Sequence, residues 1–149
     1  MLENARRKAL AGAKLVGGRA GRLVLGVDTD VALDGRLLGK PHTPDEARER
    51  LEALSGRVHD VLSGVVVLGQ GEDASERSAV ARSAVGFRAL GSGEVERYVV
   101  SGEWRDRAGG YAIQGLGSTL VESLHGDLSN VIGLPIPLLL QLAPELAKP

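Results

Sequence analysis

The sequence predicts an α/β domain in which a twisted mixed β-sheet is flanked by helices. Three observations carry this. Short runs rich in Val and Leu, bounded by turn residues, read as buried strands. Helical periodicities with start and stop signals stand between them. The two kinds of element interleave along the chain rather than segregating into blocks. Its 149 residues fit a single domain, residues 1–149, at roughly 100–200 residues per domain.

The elements follow in order. Leu2 to Val16 reads as a helix, with Ala5, Ala9, Ala13 and Val16 at helical spacing and Gly17-Gly18 as the stop. Arg22 to Asp28 is a nearly continuous apolar run that ends in a carboxylate, the pattern of a buried strand delivering Asp28 into a turn. Val31 to Leu38 carries Asp34-Gly35 at its centre, a strong hairpin signal. Thr43-Pro44-Asp45-Glu46 is a helix start: Thr43 caps, Pro44 suits the first turn and Glu46 closes a capping box. Ala47, Leu51 and Leu54 mark its buried face, and Gly56 ends it.

Arg57 to Gln70 and Glu76 to Leu90 read as the two arms of a long antiparallel hairpin turning at Gly71-Glu72-Asp73. Ser92 to Val100 reads as a short helix with Val95, Tyr98 and Val99 inward. Tyr111 to Gln114 reads as a short strand inside a glycine-rich loop, and Leu120 to Leu124 as another strand. Pro135 to Leu146 reads as an apolar helix whose Leu138 to Leu140 suit a core or a homodimer contact equally.

Composition excludes several functions. There are no cysteines, so disulfides, thiolate zinc sites and cysteine nucleophiles are out. Lys and Arg total 18 against 19 for Asp and Glu, so no global field draws in nucleic acid or anionic membrane. Aromatics are only 3%, too few for base-stacking platforms. No apolar stretch reaches the roughly 18 residues of a membrane span, and the N-terminus lacks the apolar core of a signal peptide. The expected location is the cytoplasm. His42, His59 and His125 lack metal-ligand spacing and read as surface or packing residues. There is no Walker sequence and no GxGxxG.

Three constellations carry chemistry. In Gly26-Val27-Asp28-Thr29-Asp30, Asp28 suits a divalent metal or a general base, or simply an Asx-turn. Lys40 in Gly39-Lys40-Pro41 could neutralise a phosphate, although spacing alone favours a solvated edge-strand lysine. Ser101 to Gly117 packs four charges, the only Trp and five glycines into 17 residues. That density suggests a binding loop, with Gln114 placed to read a base edge; the alternative is a surface loop with internal ion pairs.

Taken in order, these segments resemble the Maf family of nucleotide pyrophosphatases. The matching stretches are Gly26-Val-Asp28-Thr29-Asp-Val, Leu38-Gly-Lys40-Pro41, Leu54-Ser-Gly-Arg57-Val-His59, Glu96 to Glu103, Ala108 to Gly115 and Gly126 to Pro135. The form Tyr111-Ala-Ile-Gln114-Gly is similar to the branch acting on dTTP and UTP rather than 7-methyl-GTP. The resemblance implies a fold like that of Maf and inosine-triphosphatase proteins. It also implies hydrolysis of a nucleoside triphosphate to the monophosphate and pyrophosphate with a divalent cation, Mg2+ or Mn2+. It makes Asp28 the proton acceptor and metal ligand, Thr29 and Gln114 residues of base preference, and Lys40 and Lys8 phosphate-side lysines. Arg107 stands where the family usually has lysine.

The family pattern opens with a strand and a Ser-x-Ser-Pro-Arg-Arg phosphate loop, followed by a glutamate; this sequence has neither. The expectation is therefore a chain lacking a few dozen N-terminal residues of the family, marginally stable, prone to self-association and weakly active. A catalytically impaired nucleotide-binding or interaction module on the same scaffold is the second reading.

Overall fold

The computed structural model describes residues 1–17, 21–71 and 74–148. Five strands form one sheet in the order β2-β1-β3-β4-β5. They are β1 (Leu23–Leu33), β2 (Arg36–Leu37), β3 (Val58–Gly69), β4 (Glu76–Phe87) and β5 (Val121–His125). The expected sheet flanked by helices is present, but every strand pair is antiparallel rather than mixed. Its helices are α1 (Leu2–Val16), α2 (Pro44–Leu54), α3 (Ser92–Ser101), α4 (Leu128–Ile132) and α5 (Ile136–Leu142).

Two elements obey their local sequence closely. The β1–β2 turn has Asp34 at φ 51° and Gly35 at φ 77°, the pair of positive φ values that an Asp-Gly turn supplies. Thr43 Oγ1 accepts from Glu46 N at 3.1 Å. The Glu46 carboxylate reaches back one residue further than expected, to His42 N at 2.7 Å.

Four expectations need correction. First, β1 does not end at Asp28 but continues to Leu33, so Asp28 lies in mid-strand facing Gly64 of β3. The chain turns only where Asp34-Gly35 allows it. Second, Tyr111 to Gln114 is not a strand. It joins two 3-10 turns, Ala108–Gly110 and Gly115–Leu120, because left-handed Gly109, Gly110 and Gly115 bracket it and Tyr98 claims the Ala112 amide. Third, the C-terminal helix stops at Leu142, since Pro144 disfavours helical backbone at Ala143, which sits at φ −136°. Fourth, α4 has no counterpart among the expected elements; Asp127 caps it by accepting from Ser129 N at 2.8 Å. The expected turn residues Glu72 and Asp73, the stop residue Gly18 and the terminal Pro149 lie outside the described residues.

Side-chain alternation gives the sheet two different faces. On one, Val66 and Leu68 of β3 meet Ala5 and Ala9 of α1. The approach is close because β1 offers Gly26 there: a Cβ on Gly26 would lie 2.7 Å from Ala9 N. On the other face two cores form. Val65 and Val67 pack on Leu139 and Ala143 at the C-terminal end, so the tail leucine Leu139 is a core residue. Val31, Val61, Val85 and Phe87 pack against α2, α3, Trp104 and Tyr111. The candidate site runs past Val31 and Val61 on this face and takes in Asp28 from the α1 face.

His59 is the one buried histidine of the larger core. Its Nε2 lies 2.7 Å from the Tyr111 hydroxyl, and its ring meets Phe87 and Tyr111 edge-on. Burial lowers its pKa from 6.5 to about 4. Between those values the unfolded chain holds a proton that the folded chain does not, so stability is full above about pH 6.5 and declines as the pH falls toward 4. The full effect is roughly 3 kcal/mol at 1.36 kcal/mol per pKa unit. Melting temperatures at pH 7 and pH 5 should therefore differ, and by less in His59→Gln; an equal pH dependence in both proteins would remove His59 as the cause.

Candidate active site

A cleft of about 700 Å³ opens along β1, and Lys8, Asp28, Thr29, Lys40 and Gln114 all line it, Asp28 and Lys8 from the α1 face and Thr29 from the opposite face. Every residue singled out in the sequence for a site thus reaches one cavity. The sheet supplies its floor through Val27, Thr29, Val31 and Val61; one wall comes from Val131 to Gly133 around the end of α4, the other from the loop between Glu103 and Gly115.

Asp28 and Lys8 meet because α1 sits directly on β1. Gly26 and Gly64, with no side chains to hold the helix off, let Ala5, Ala9 and the first residues of α1 approach the backbone. Asn4 and Lys8, four apart and so on one helix face, then reach Asp28. Lys8 Nζ donates to Asp28 Oδ1 at 2.8 Å and to the Val27 carbonyl at 2.9 Å. Asn4 Nδ2 donates to Asp28 Oδ2 at 3.1 Å. Partial burial pushes the Asp28 carboxyl up, but the Lys8 and Asn4 hydrogen bonds and the lysine charge outweigh it and hold the pKa below its ordinary value. Asp28 is therefore a carboxylate at neutral pH.

Lys40 is brought to the cleft by the residue before it. Gly39 N donates to Asp30 Oδ1 at 3.0 Å. The Gly39 carbonyl accepts from Arg50 Nη1 at 2.7 Å and from Gly109 N at 2.8 Å. The second bond ties the exit of the hairpin to the loop that carries Arg107, a further cation on the cleft wall. Thr29 lies on the floor, where its hydroxyl and that of Ser63 are 2.7 Å apart. Gln114 is exposed at the mouth. Behind it the Tyr98 hydroxyl accepts from Ala112 N at 3.0 Å.

Asn4 and Glu103 belong to the site but were not among the residues singled out. Asn4 had a signal, its four-residue spacing from Lys8 on one helix. Glu103 had none, because its partners are backbone amides.

The donor set can be tested against a divalent cation. Among the described residues no three His, Asp or Glu side chains converge, so there is no all-protein cage. Mg2+ does not need one: it is commonly held by one or two carboxylates, substrate phosphates and water. Each Asp28 oxygen accepts one hydrogen bond and keeps further acceptor capacity. The residues fit a cation of that kind.

Comparison with known proteins shows the family. The family model described as Maf-like protein matches residues 1–146. The dTTP/UTP pyrophosphatase of Myxococcus xanthus (strain DK1622) is 51% identical over 116 residues, 78% of this chain and 57% of that protein. That of Pyrococcus furiosus is 43% identical over 119 residues, 80% of this chain and 61% of that protein. That of Pyrococcus horikoshii is 40% identical over 148 residues, 99% of this chain and 76% of that protein. The chain thus spans 57% and 61% of the length of the first two relatives. With residues 1–146 matched by the family model, the chain belongs to the Maf-like protein family.

Proposed function

We propose that the cleft binds dTTP or UTP and hydrolyses it to the nucleoside monophosphate and pyrophosphate. The observation that carries this reading is the convergence, in one 700 Å³ cleft, of the Asp28–Lys8 pair, Lys40 and Gln114. Cutting a phosphoanhydride needs an oriented water, counter-charge for the phosphates and a way to hold the base. Asp28 orients the water and takes its proton as the water oxygen bonds to phosphorus. The bridging oxygen leaves with the electron pair of the broken bond.

A pKa held low makes Asp28 a weak base in the empty cleft. A phosphate oxygen that draws Lys8 toward itself loosens the pair and raises the basicity of Asp28 when substrate is present. Lys40 and the forked guanidinium of Arg107 hold the outer phosphates. A divalent cation, Mg2+ or Mn2+, held by Asp28 and the substrate phosphates, supplies further charge neutralisation when bound. Gln114, offering both a donor and an acceptor, pairs with the mixed edge of uracil or thymine, and Thr29 contributes to base preference from the floor. A nucleotide substrate suits a cytoplasmic protein; among the described residues no helix is long and apolar enough to cross a membrane.

The products test the reaction. Phosphorus NMR of a UTP digest should contain UMP and pyrophosphate; UDP and inorganic phosphate would assign a different bond. Base recognition is tested at Gln114. Gln114→Glu removes the amide donor and sets a negative charge beside an anionic ligand, so KM for UTP and dTTP should rise by at least about tenfold, the equivalent of 1.4 kcal/mol. Unchanged relative rates on UTP, dTTP and GTP would mean that Gln114 does not contact the base.

A further inference from the structure

We propose that Glu103 is a positioning residue that sets base selectivity by fixing the backbone on which Gln114 stands. The inference rests on the reading of Gln114 as the residue that contacts the base. Among the described residues, no hydrogen bond holds the Gln114 side chain. Its direction therefore follows from the backbone on either side.

On the N-terminal side, two residues away, the Ala112 amide is held by the Tyr98 hydroxyl. On the C-terminal side the Ser118 and Thr119 hydroxyls donate to the Gly115 and Leu116 carbonyls within the turn at 2.7 and 2.8 Å, and Glu103 ties the turn to the end of α3. Its Oε1 accepts from Leu116 N at 3.0 Å, and its Oε2 from Gly117 N at 3.1 Å. One carboxylate thus holds two successive amides, a geometry that a planar two-oxygen acceptor meets and a single hydroxyl does not.

The surroundings leave the turn little alternative. Gly115 is left-handed at φ 66°, and a Cβ placed on it would lie 2.8 Å from Glu103 Oε1. Gly117 is buried, and a Cβ there would overlap the Ala112 carbonyl. Glu103 itself is anchored. It follows the left-handed Gly102 that ends α3, its amide donates to Ser101 Oγ at 3.2 Å, and the neighbouring Trp104 is buried with its Nε1 donating to the Val99 carbonyl. Glu103 therefore transmits the position of the α3 end to the turn beyond Gln114.

A mixed donor–acceptor contact discriminates among bases only while its two groups keep a fixed direction. Without the Glu103 carboxylate the turn keeps its internal hydroxyl bonds but loses its tie to the end of α3, and Gln114 samples directions that suit other bases as well. The phosphate end is built mainly from α1, β1 and the Lys40 turn; Arg107 reaches it from the loop between Glu103 and Gly115, on the far side of Gln114 from the two amides that Glu103 holds.

The test is calorimetric binding of UMP, GMP and inorganic pyrophosphate to the wild type, Glu103→Ala, Glu103→Gln and Gln114→Ala. Amide hydrogen exchange at Leu116 and Gly117 is followed alongside. The expected result is a UMP-over-GMP preference that falls at least tenfold in Glu103→Ala, with both amides exchanging faster and no loss of pyrophosphate affinity, since the change removes a negative charge from the cleft lining. Glu103→Gln, which keeps one acceptor oxygen, should recover part of the preference; that partial rescue keeps the test decisive if the alanine variant folds poorly.

A wild-type preference retained in both Glu103 variants overturns the inference. So does a lost preference with both amides still protected, because Glu103 would then act on the ligand directly. If Gln114→Ala keeps the wild-type preference, the reading of Gln114 falls and this inference with it. A wild type that binds neither nucleotide overturns the proposed function as well.

Discussion

Asp28→Asn is expected to lower turnover by about 10²–10⁴-fold, the range that a positioned acid or base contributes, while the melting temperature changes little. The amide keeps the shape of the carboxylate but loses its charge, its basicity and its hold on a cation. Lys8, at 58% side-chain exposure, is left facing a neutral group in contact with water, and partly exposed pairs of this kind contribute only about 0–1 kcal/mol. Rate and stability should therefore separate. Initial rates of pyrophosphate release and a thermal melt on the same preparation check this. A variant with near-wild-type turnover would remove Asp28 from the reaction, and one with both turnover and melting point collapsed would make its role structural.

The second large effect is expected at a residue with no chemistry of its own. Gly26→Val should cost about 3 kcal/mol, the upper part of the usual overpacking range, or roughly 6–12 °C in melting temperature for a domain of this size. Any Cβ at this position meets Ala9 N at 2.7 Å and Ala9 Cβ at 2.8 Å. These belong to a helix turn rather than to a flexible side chain, so α1 itself must move. Asn4 and Lys8 ride on that helix, and their hold on Asp28 loosens with it, so activity should fall together with stability. Gly93→Ala is the control. It lies in α3 with open space around its Cβ position, and alanine there should be neutral or stabilising. Equal melting points for wild type and Gly26→Val would mean that α1 does not bear on β1 as described.

Much of the fold was legible where local chemistry and tertiary contacts agree. Asp34-Gly35 forces a hairpin, and Thr43-Pro44 starts a helix, whatever surrounds them. The run Tyr111-Ala-Ile-Gln114 misleads because it alternates like a strand, while its amide at Ala112 is taken by the Tyr98 hydroxyl of α3 rather than by a neighbouring strand. Helix α4 is too short for a period to show, and only Asp127 ahead of Ser129 signals it.

The site divides in the same way. Asp28, Lys8, Thr29, Lys40 and Gln114 were legible through resemblance, whereas spacing alone favoured a solvated Lys40. The tie between the Lys40 turn and the Arg107 loop runs through the carbonyl of Gly39, a group that every residue possesses and no pattern can single out. The Glu103 clamp on two amides is hidden for the same reason.

The most direct test of the cleft as a pyrimidine nucleotide pyrophosphatase site is the initial rate of pyrophosphate release. It is measured across UTP, dTTP, CTP, GTP and ATP at equal concentration with Mg2+ or Mn2+. UTP and dTTP should be cleaved at least about tenfold faster than GTP and ATP, a margin of 1.4 kcal/mol in transition-state binding. Release at equal rates from all five nucleotides, or from none of them, would contradict it.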